Sequence, residues 1–426
     1  MGSMRICRCV PLIMLAFFCA LSAPSSFAQF EALPADFRAQ LTRHGVVGGG
    51  LAVIHAGSPA TEYFFGEARR ETHQPVDADT AYNWASITKT MTAIAILQLR
   101  DHGLLSLDDP AVRYVPELRQ VHDEYGPVDR ITIRNLLMHS AGFRNPTWPW
   151  DCDDAKTCDW QPFEPTKWAQ VAAMLPYTHV AFAPGTRWSY SNLGYVFLGQ
   201  IVERLSGDDF EVYVTKNILM PLGMTHSYFD RSPYFLERDV SASYLRSGST
   251  LTPQPFDFDT GITTSNSGLK APIPDMEKYA RFLIGDAANP VYEIVLERSS
   301  LEEAWTGVLP AVQPGEQATA YTSGPGGAPP MMGLGFFVVT AKGHRCIFHD
   351  GDQGGFSSEL LIDPDGRSAA ILAVNTTDTG APAEASSHPI SNTEPEPQSD
   401  LRVALRNEII ETVFPALRKS GAAPAK

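Results

Sequence analysis

Strand-forming segments lie at the two ends of this chain and thin out between them, a distribution that admits few architectures. Near the start, residues 46–56 and 62–66 have strand character around a turn at Gly57-Ser58-Pro59. Toward the end, residues 333–340, 345–349, 358–362 and 369–375 form four such runs, the last two joined by the turn signal Asp363-Pro364-Asp365-Gly366. From about 134 to 282 the pattern is helices and long turns. Residues 86–102 carry Met91, Ile94, Ala95 and Leu99 on one face and stop at Gly103, and further helices are predicted at 35–44, 194–205, 276–284 and 401–417. The fold class that satisfies this is α/β in the α+β sense. An antiparallel sheet is made by both chain ends, 29–95 and 331–426, and is flanked by helices. A mostly helical region, 96–330, is inserted between them, and the cleft where the two parts meet is the natural place for a site.

The chain is long enough for such a fold, since 426 residues with 44% hydrophobic side chains bury a substantial core. Its net charge of -15, from 33 basic and 48 acidic residues with no basic run, excludes the footprint of a nucleic-acid binder. Arg5 and Arg8, an apolar run over 10–21 and the small-x-small site Ser26-Phe27-Ala28 together form an export signal. The expectation is a periplasmic or secreted protein cleaved near Ala28. No later run approaches the roughly 20 apolar residues of a stable membrane span. Three cysteines would leave with the signal, and of the remaining Cys152, Cys158 and Cys346 the first two close a small loop that an oxidising compartment allows to pair.

Chemistry concentrates in three short segments. Ser86 and Lys89 stand three residues apart on the first turn of a predicted helix, so the amine reaches the hydroxyl beside the free N–H groups of the helix start. A lysine base must lose several units of its ordinary pKa of about 10.4 through burial or neighbouring positive potential. A second Ser-x-x-Lys, Ser267 to Lys270, is followed at once by Pro272 and Pro274, which discourage the helix that would bring its two side chains together. Tyr190 and Asn192 lie in the turn before a helix, and His349-Asp350-Gly351 ends a strand running into a glycine-rich loop. The remaining histidines, His139 among them, read as core or surface residues. No metal-ligand spacing and no Gly-x-Ser-x-Gly elbow occurs, so neither a metal nor a cofactor is implied.

Taken in order, Ser86 to Lys89, Tyr190 to Asn192 and His349 to Gly351 resemble the three motifs of the serine β-lactamase and penicillin-recognising enzyme family. The similarity is to its class C-like branch, which holds D-alanyl-D-alanine carboxypeptidases, D-aminopeptidases and family VIII esterases. Residues 131–143 and the Asp363-Pro364-Asp365-Gly366 hairpin add to it, and it extends over most of 35–375. The resemblance implies a β-lactamase/transpeptidase-like fold and an acyl-enzyme on Ser86. Lys89 and Tyr190 would share the proton traffic, Asn192 would orient Lys89 and the substrate amide, and His349 would hold the polar end of the substrate and support Tyr190 electrostatically. Gly351 would let the backbone approach, and the N–H groups of Ser86 and Asp352 would receive the oxyanion. The role of the Asp350 and Asp352 side chains, amine recognition or loop capping, stays open. Trp148 and Trp150, in a Trp-rich insertion over 143–168 around Cys152 and Cys158, either pack a long loop or wall the substrate pocket.

The partner expected is a small molecule or short peptide. A partly charged histidine where relatives carry lysine favours a peptidase or amidase on short or modified peptides, linearised cyclic peptides included. A carboxylesterase with weak β-lactamase activity, a class C-like β-lactamase and a non-catalytic penicillin-binding sensor are the alternatives. Oligomeric state is left open.

Overall fold

A computed structural model describes residues 26–143, 165–254, 257, 259–285, 289–311, 329–378 and 399–420. The greater part of the expected export signal, together with Trp148, Trp150, Cys152 and Cys158, lies outside the described residues.

The main sheet takes β1 (Gly48–His55), β2 (Thr61–Arg69) and β3 (Gln74–Pro75) from the start of the chain. Two short strands pair with each other, β4 (Ala81–Asn83) and β7 (Lys270–Pro272); between them in sequence comes the hairpin β5 (Ser243–Ser247) and β6 (Thr250–Gln254). The end of the chain supplies β8 (Leu309–Pro310), β9 (Met331–Met332), β10 (Phe337–Ala341), β11 (His344–Gln353), β12 (Phe356–Asp363), β13 (Ser368–Val374) and β14 (Thr376–Asp378). Nine strands run in the order β3-β2-β1-β13-β12-β11-β10-β9-β8, and every pairing is antiparallel. The two ends of the chain meet at β1 and β13, where Leu51 faces Leu372 across the ladder.

The helices are α1 (Ser26–Arg43), α2 (Thr88–Asp101), α3 (Ile133–Leu137), α4 (Trp168–Met174), α5 (Asn192–Ser206) and α6 (Phe210–Val214), then α7 (Thr264–Ser267), α8 (Ile273–Ile284), α9 (Val291–Val295), α10 (Arg298–Ala304), α11 (Ser399–Glu408) and α12 (Phe414–Ser420). Leu33, Phe37 and Leu41 repeat every four residues and turn one face of α1 inward. That helix packs on α12 and on the π-helical turn Ile409–Val413, while α11 and α12 cover β12 and β13 from the same side. On the other side α8 covers β1, β12 and β13. With both faces covered, β12 and β13 are buried along their whole length; β13 accordingly reads as a nearly continuous apolar run, while β12 also buries Ser357, Ser358, Glu359 and Asp363.

Three differences from the sequence pattern have local causes. The 134–282 region contains β5, β6 and β7, short strands whose exposed residues and Pro253 give little strand signal. α8 starts directly at Pro272 and Pro274, because the first helical turn has no use for the missing N–H. β11 continues through Gly351 to Gln353, where a loop was expected. The second Ser-x-x-Lys is divided between α7 and β7, and Lys270 pairs instead with Asp257 at 3.6 Å.

Candidate active site

The site is built around a single 3₁₀ turn, Ala85–Ile87, that feeds α2. Ala85 holds a left-handed φ of 46°, a conformation that costs a side-chain-bearing residue about 1–2 kcal/mol. Two contacts hold it there: its N–H donates to Asn83 Oδ1 at 2.7 Å, and the Thr88 hydroxyl donates to its carbonyl at 2.6 Å. The strained turn leaves Ser86 half-buried while Lys89, three residues on, is fully buried.

Lys89 Nζ lies 2.9 Å from Ser86 Oγ and donates at 2.9 Å to the carbonyl of Asn266 in α7. It also sits over the rings of Tyr190 and Tyr195, at 4.9 and 5.6 Å from their centroids. Burial holds its pKa well below the ordinary lysine range, and the negative charge of Asp350 offsets only part of that. A neutral amine in this position accepts the Ser86 proton while still donating to Asn266. Tyr190, hydrogen-bonded to Ser86, is pushed the other way by burial, so its phenol stays protonated. The pair therefore has the protonation states that a base and an acid on either side of one hydroxyl require. Asn192 opens α5, which packs along α2.

Tyr190 is held by a residue that the sequence pattern does not single out. His139 also has a left-handed φ, 53°, and its carbonyl accepts from Ser189 N at 2.8 Å while its Nδ1 accepts from Ser191 N at 3.1 Å. His139 thus holds the chain on both sides of Tyr190, by its carbonyl before and its ring after, and the imidazole lies 4.3 Å from that ring and 5.0 Å from Tyr195. Burial and the nearby Lys89 and His349 keep it uncharged. Its signal in the sequence was the segment 131–143, whose family likeness did not single out the histidine. Asn266 acts through its carbonyl, for which no side-chain pattern exists.

β11 closes the site from the other side. A Cβ at Gly351 would lie 2.4 Å from the Trp84 carbonyl oxygen and 3.0 Å from the Ser86 nitrogen, so only glycine lets the strand pass this close to the Ser86 turn. Alternation along β11 puts His349, Gly351 and Gln353 on this face. Gln353, another residue the sequence did not flag, accepts from Asn83 Nδ2 at 3.1 Å and reaches toward Ser267 Oγ at 3.5 Å. Asp350 and Asp352 point to the opposite face, where both pair with Arg402, so neither carboxylate is presented to a substrate beside Ser86 and neither caps a loop. His349 also departs from expectation. It is fully buried, its Nδ1–H donates to the Asp350 carbonyl at 2.7 Å, and burial lowers its pKa to about 4. It is a neutral imidazole near pH 7 and lends no positive charge to Tyr190.

A strained serine turn, a buried neutral lysine and an edge-on glycine strand are the parts of a serine acyl-transfer site. The family model Beta-lactamase matches residues 33–390, and the chain belongs to that family. Protein flp of Staphylococcus aureus (strain COL) is 23% identical over 335 residues, covering 79% of this chain and 61% of the relative, so the chain spans about three fifths of the length of that curated relative. Among solved structures, the octameric penicillin-binding protein homologue from Pyrococcus abyssi is 26% identical with a TM-score of 0.66, over 82% of this chain and 73% of that one. A class C β-lactamase, 19% identical with a TM-score of 0.67 over 95% and 99%, shares the fold. Among the described residues no helix is long and apolar enough to cross a membrane.

Proposed function

We propose that this protein is a serine hydrolase that forms an acyl-enzyme on Ser86 and cleaves amide bonds of short or modified peptides. The observation that carries the reading is the 2.9 Å approach of a fully buried Lys89 amine to Ser86 Oγ, with its charged form disfavoured by burial. Lys89 takes the Ser86 proton as the oxygen attacks the carbonyl, and the protonated Tyr190 delivers a proton to the departing nitrogen. The Ser86 N–H and that of Asp352, the residue after the close-passing Gly351, receive the oxyanion. Water then hydrolyses the ester by the reverse proton path.

Substrate preference follows from His349. With its Nδ1–H committed to the Asp350 carbonyl, the neutral ring offers a lone pair at Nε2, an atom with no partner among the described residues. A buried, neutral ring supplies no cationic anchor for a substrate carboxylate. The same feature favours a second reading, hydrolysis of uncharged esters, over β-lactam turnover. The test is a panel of aminoacyl p-nitroanilides, blocked and free short peptides, p-nitrophenyl esters and nitrocefin, with Ser86→Ala as blank. Blocked amides should turn over best. Faster turnover of nitrocefin or of free-carboxylate peptides would refute the preference, and turnover by Ser86→Ala would refute the mechanism.

A further inference from the structure

The face of β11 turned away from Ser86 is charged and buried. Arg402 of α11 pairs with Asp352, donates to Ser357 Oγ at 3.2 Å and lies 3.5 Å from Asp350. One helical turn on, Arg406 donates to Asp350 at 3.1 Å and grips both oxygens of Glu359, at 2.7 and 3.0 Å. Glu359 stands opposite Asp350 in the β11–β12 ladder. The two arginine side chains are only 4% and 1% exposed. Desolvating this many charges costs several kcal/mol per ion, and apolar packing of the same volume would often be at least as stable, so stability alone does not account for the cluster.

Its position does. The cluster lies behind the residues that close the site, and the charge of Asp350 is felt at Lys89, where it favours the protonated amine, and at Tyr190, where it favours the phenol. Lys89 is faced by Ser86, the Asn266 carbonyl, Tyr190, Tyr195, His139 and, from β11, His349 with Asp350 behind it. Asp350 is faced by Arg402 and Arg406 from α11, by Glu359 from β12 and by its neighbour His349. The arginines are the permanent cations of that set.

We infer that Arg402 and Arg406 are positioning residues of the reaction: they pin the back of β11 to α11 so that Gly351 stays seated against Ser86, and they cancel the field of Asp350 that would otherwise keep a proton on Lys89. This rests on the reading of Ser86 as nucleophile and Lys89 as base. Geometry and charge separate by substitution. Arg406→Lys keeps the charge but loses the two-pronged grip. Arg406→Met loses both, and Asp350→Asn removes the field itself.

The experiment follows the rate of fluorophosphonate labelling of Ser86 between pH 4 and 10 on the full chain. Arg406→Met should move the acidic limb up by about one pH unit, Asp350→Asn should move it down, and Arg406→Lys should leave it in place with a lowered plateau. A purely structural role lowers the plateau without moving the limb. Limbs unmoved in Arg406→Met and Asp350→Asn would overturn the inference; should Arg406→Met not fold, an unmoved limb in Asp350→Asn suffices. A wild-type protein not labelled at Ser86 would instead overturn the serine reading, and the inference with it.

Discussion

Lys89 and Gly351 each carry a demand that a single substitution exposes. An arginine at 89 keeps a positive charge but does not deprotonate in a protein, so Lys89→Arg should lose at least about 10³-fold in kcat/KM, nearly as much as Lys89→Ala. Retention within about tenfold, under ~1.4 kcal/mol of barrier, would make Lys89 an electrostatic partner and leave Tyr190 as the base. At Gly351 a methyl group would collide with the Trp84 carbonyl. Gly351→Ala should therefore push β11 off the nucleophile turn and lower kcat by about 10²–10³-fold, the loss typical of one missing oxyanion donor, with KM changing less. His139→Ala removes the ring that holds Ser191 N, while the backbone carbonyl that holds Ser189 N remains, and should reduce kcat by about 10-fold or more while Ser86 remains open to labelling. A kcat equal to wild type would show that the Tyr190 turn holds itself.

At the scale of elements, β11 and β12 bury two groups that titrate in opposite senses. His349 has a pKa near 4 in the folded protein against 6.5 when unfolded, so its contribution is complete above pH 6.5 and is lost as pH falls toward 4. Glu359 is raised from 4.5 to about 7, so its contribution is complete below pH 4.5 and is lost as pH rises through 7. Each is worth about 3 kcal/mol, and between pH 4.5 and 6.5 the two slopes nearly cancel. Urea unfolding at pH 7 and pH 5 checks this. Relative to wild type, Glu359→Gln should lose stability on acidification and His349→Gln should gain it, and parallel behaviour of the two variants would contradict the assignment.

Much of this scale was legible in the sequence. The helices predicted at 86–102 and 194–205 end within two residues of the observed ones, because Gly103 and Gly207 stop them. The turn at 363–366 lies between β12 and β13 as its residues require. What misled was glycine: around 351 it suggested a loop, whereas in β11 it marks contact with another backbone. Arg402 and Arg406 gave no signal at all, since their partners lie about 50 positions earlier and a charged pair on one face of a helix is usually a solvated one. Ser86, Lys89 and Tyr190 stood out because their geometry is local or patterned, while the carbonyl of Asn266 and the ring of His139 act through tertiary contacts.

For the whole molecule, the last helices are part of the core. Leu401, Leu405, Ile409, Val413 and Phe414 are buried against α1 and the sheet. At about 1.5–3 kcal/mol each, their loss would equal the 5–15 kcal/mol by which a domain of this kind is stable. A chain ending at residue 398 should be insoluble or lack near-ultraviolet circular dichroism. A soluble, cooperatively melting truncation would show that α11 and α12 are an accessory.

The pairing of β1 with β13 also sets a timetable. Residue 49 meets Phe65 on one edge at once but finds its partner on the other only at residue 374, so a growing chain that has already made Ser86 and Lys89 still lacks the strand that completes their surroundings. Closure over such distances in sequence is slow, because the entropy of the intervening loop must be overcome before the contacts repay it. On the proposed reading, Ser86 would stay chemically silent throughout synthesis and become reactive in one late step, when the final fifth of the polypeptide arrives and folds back over the first.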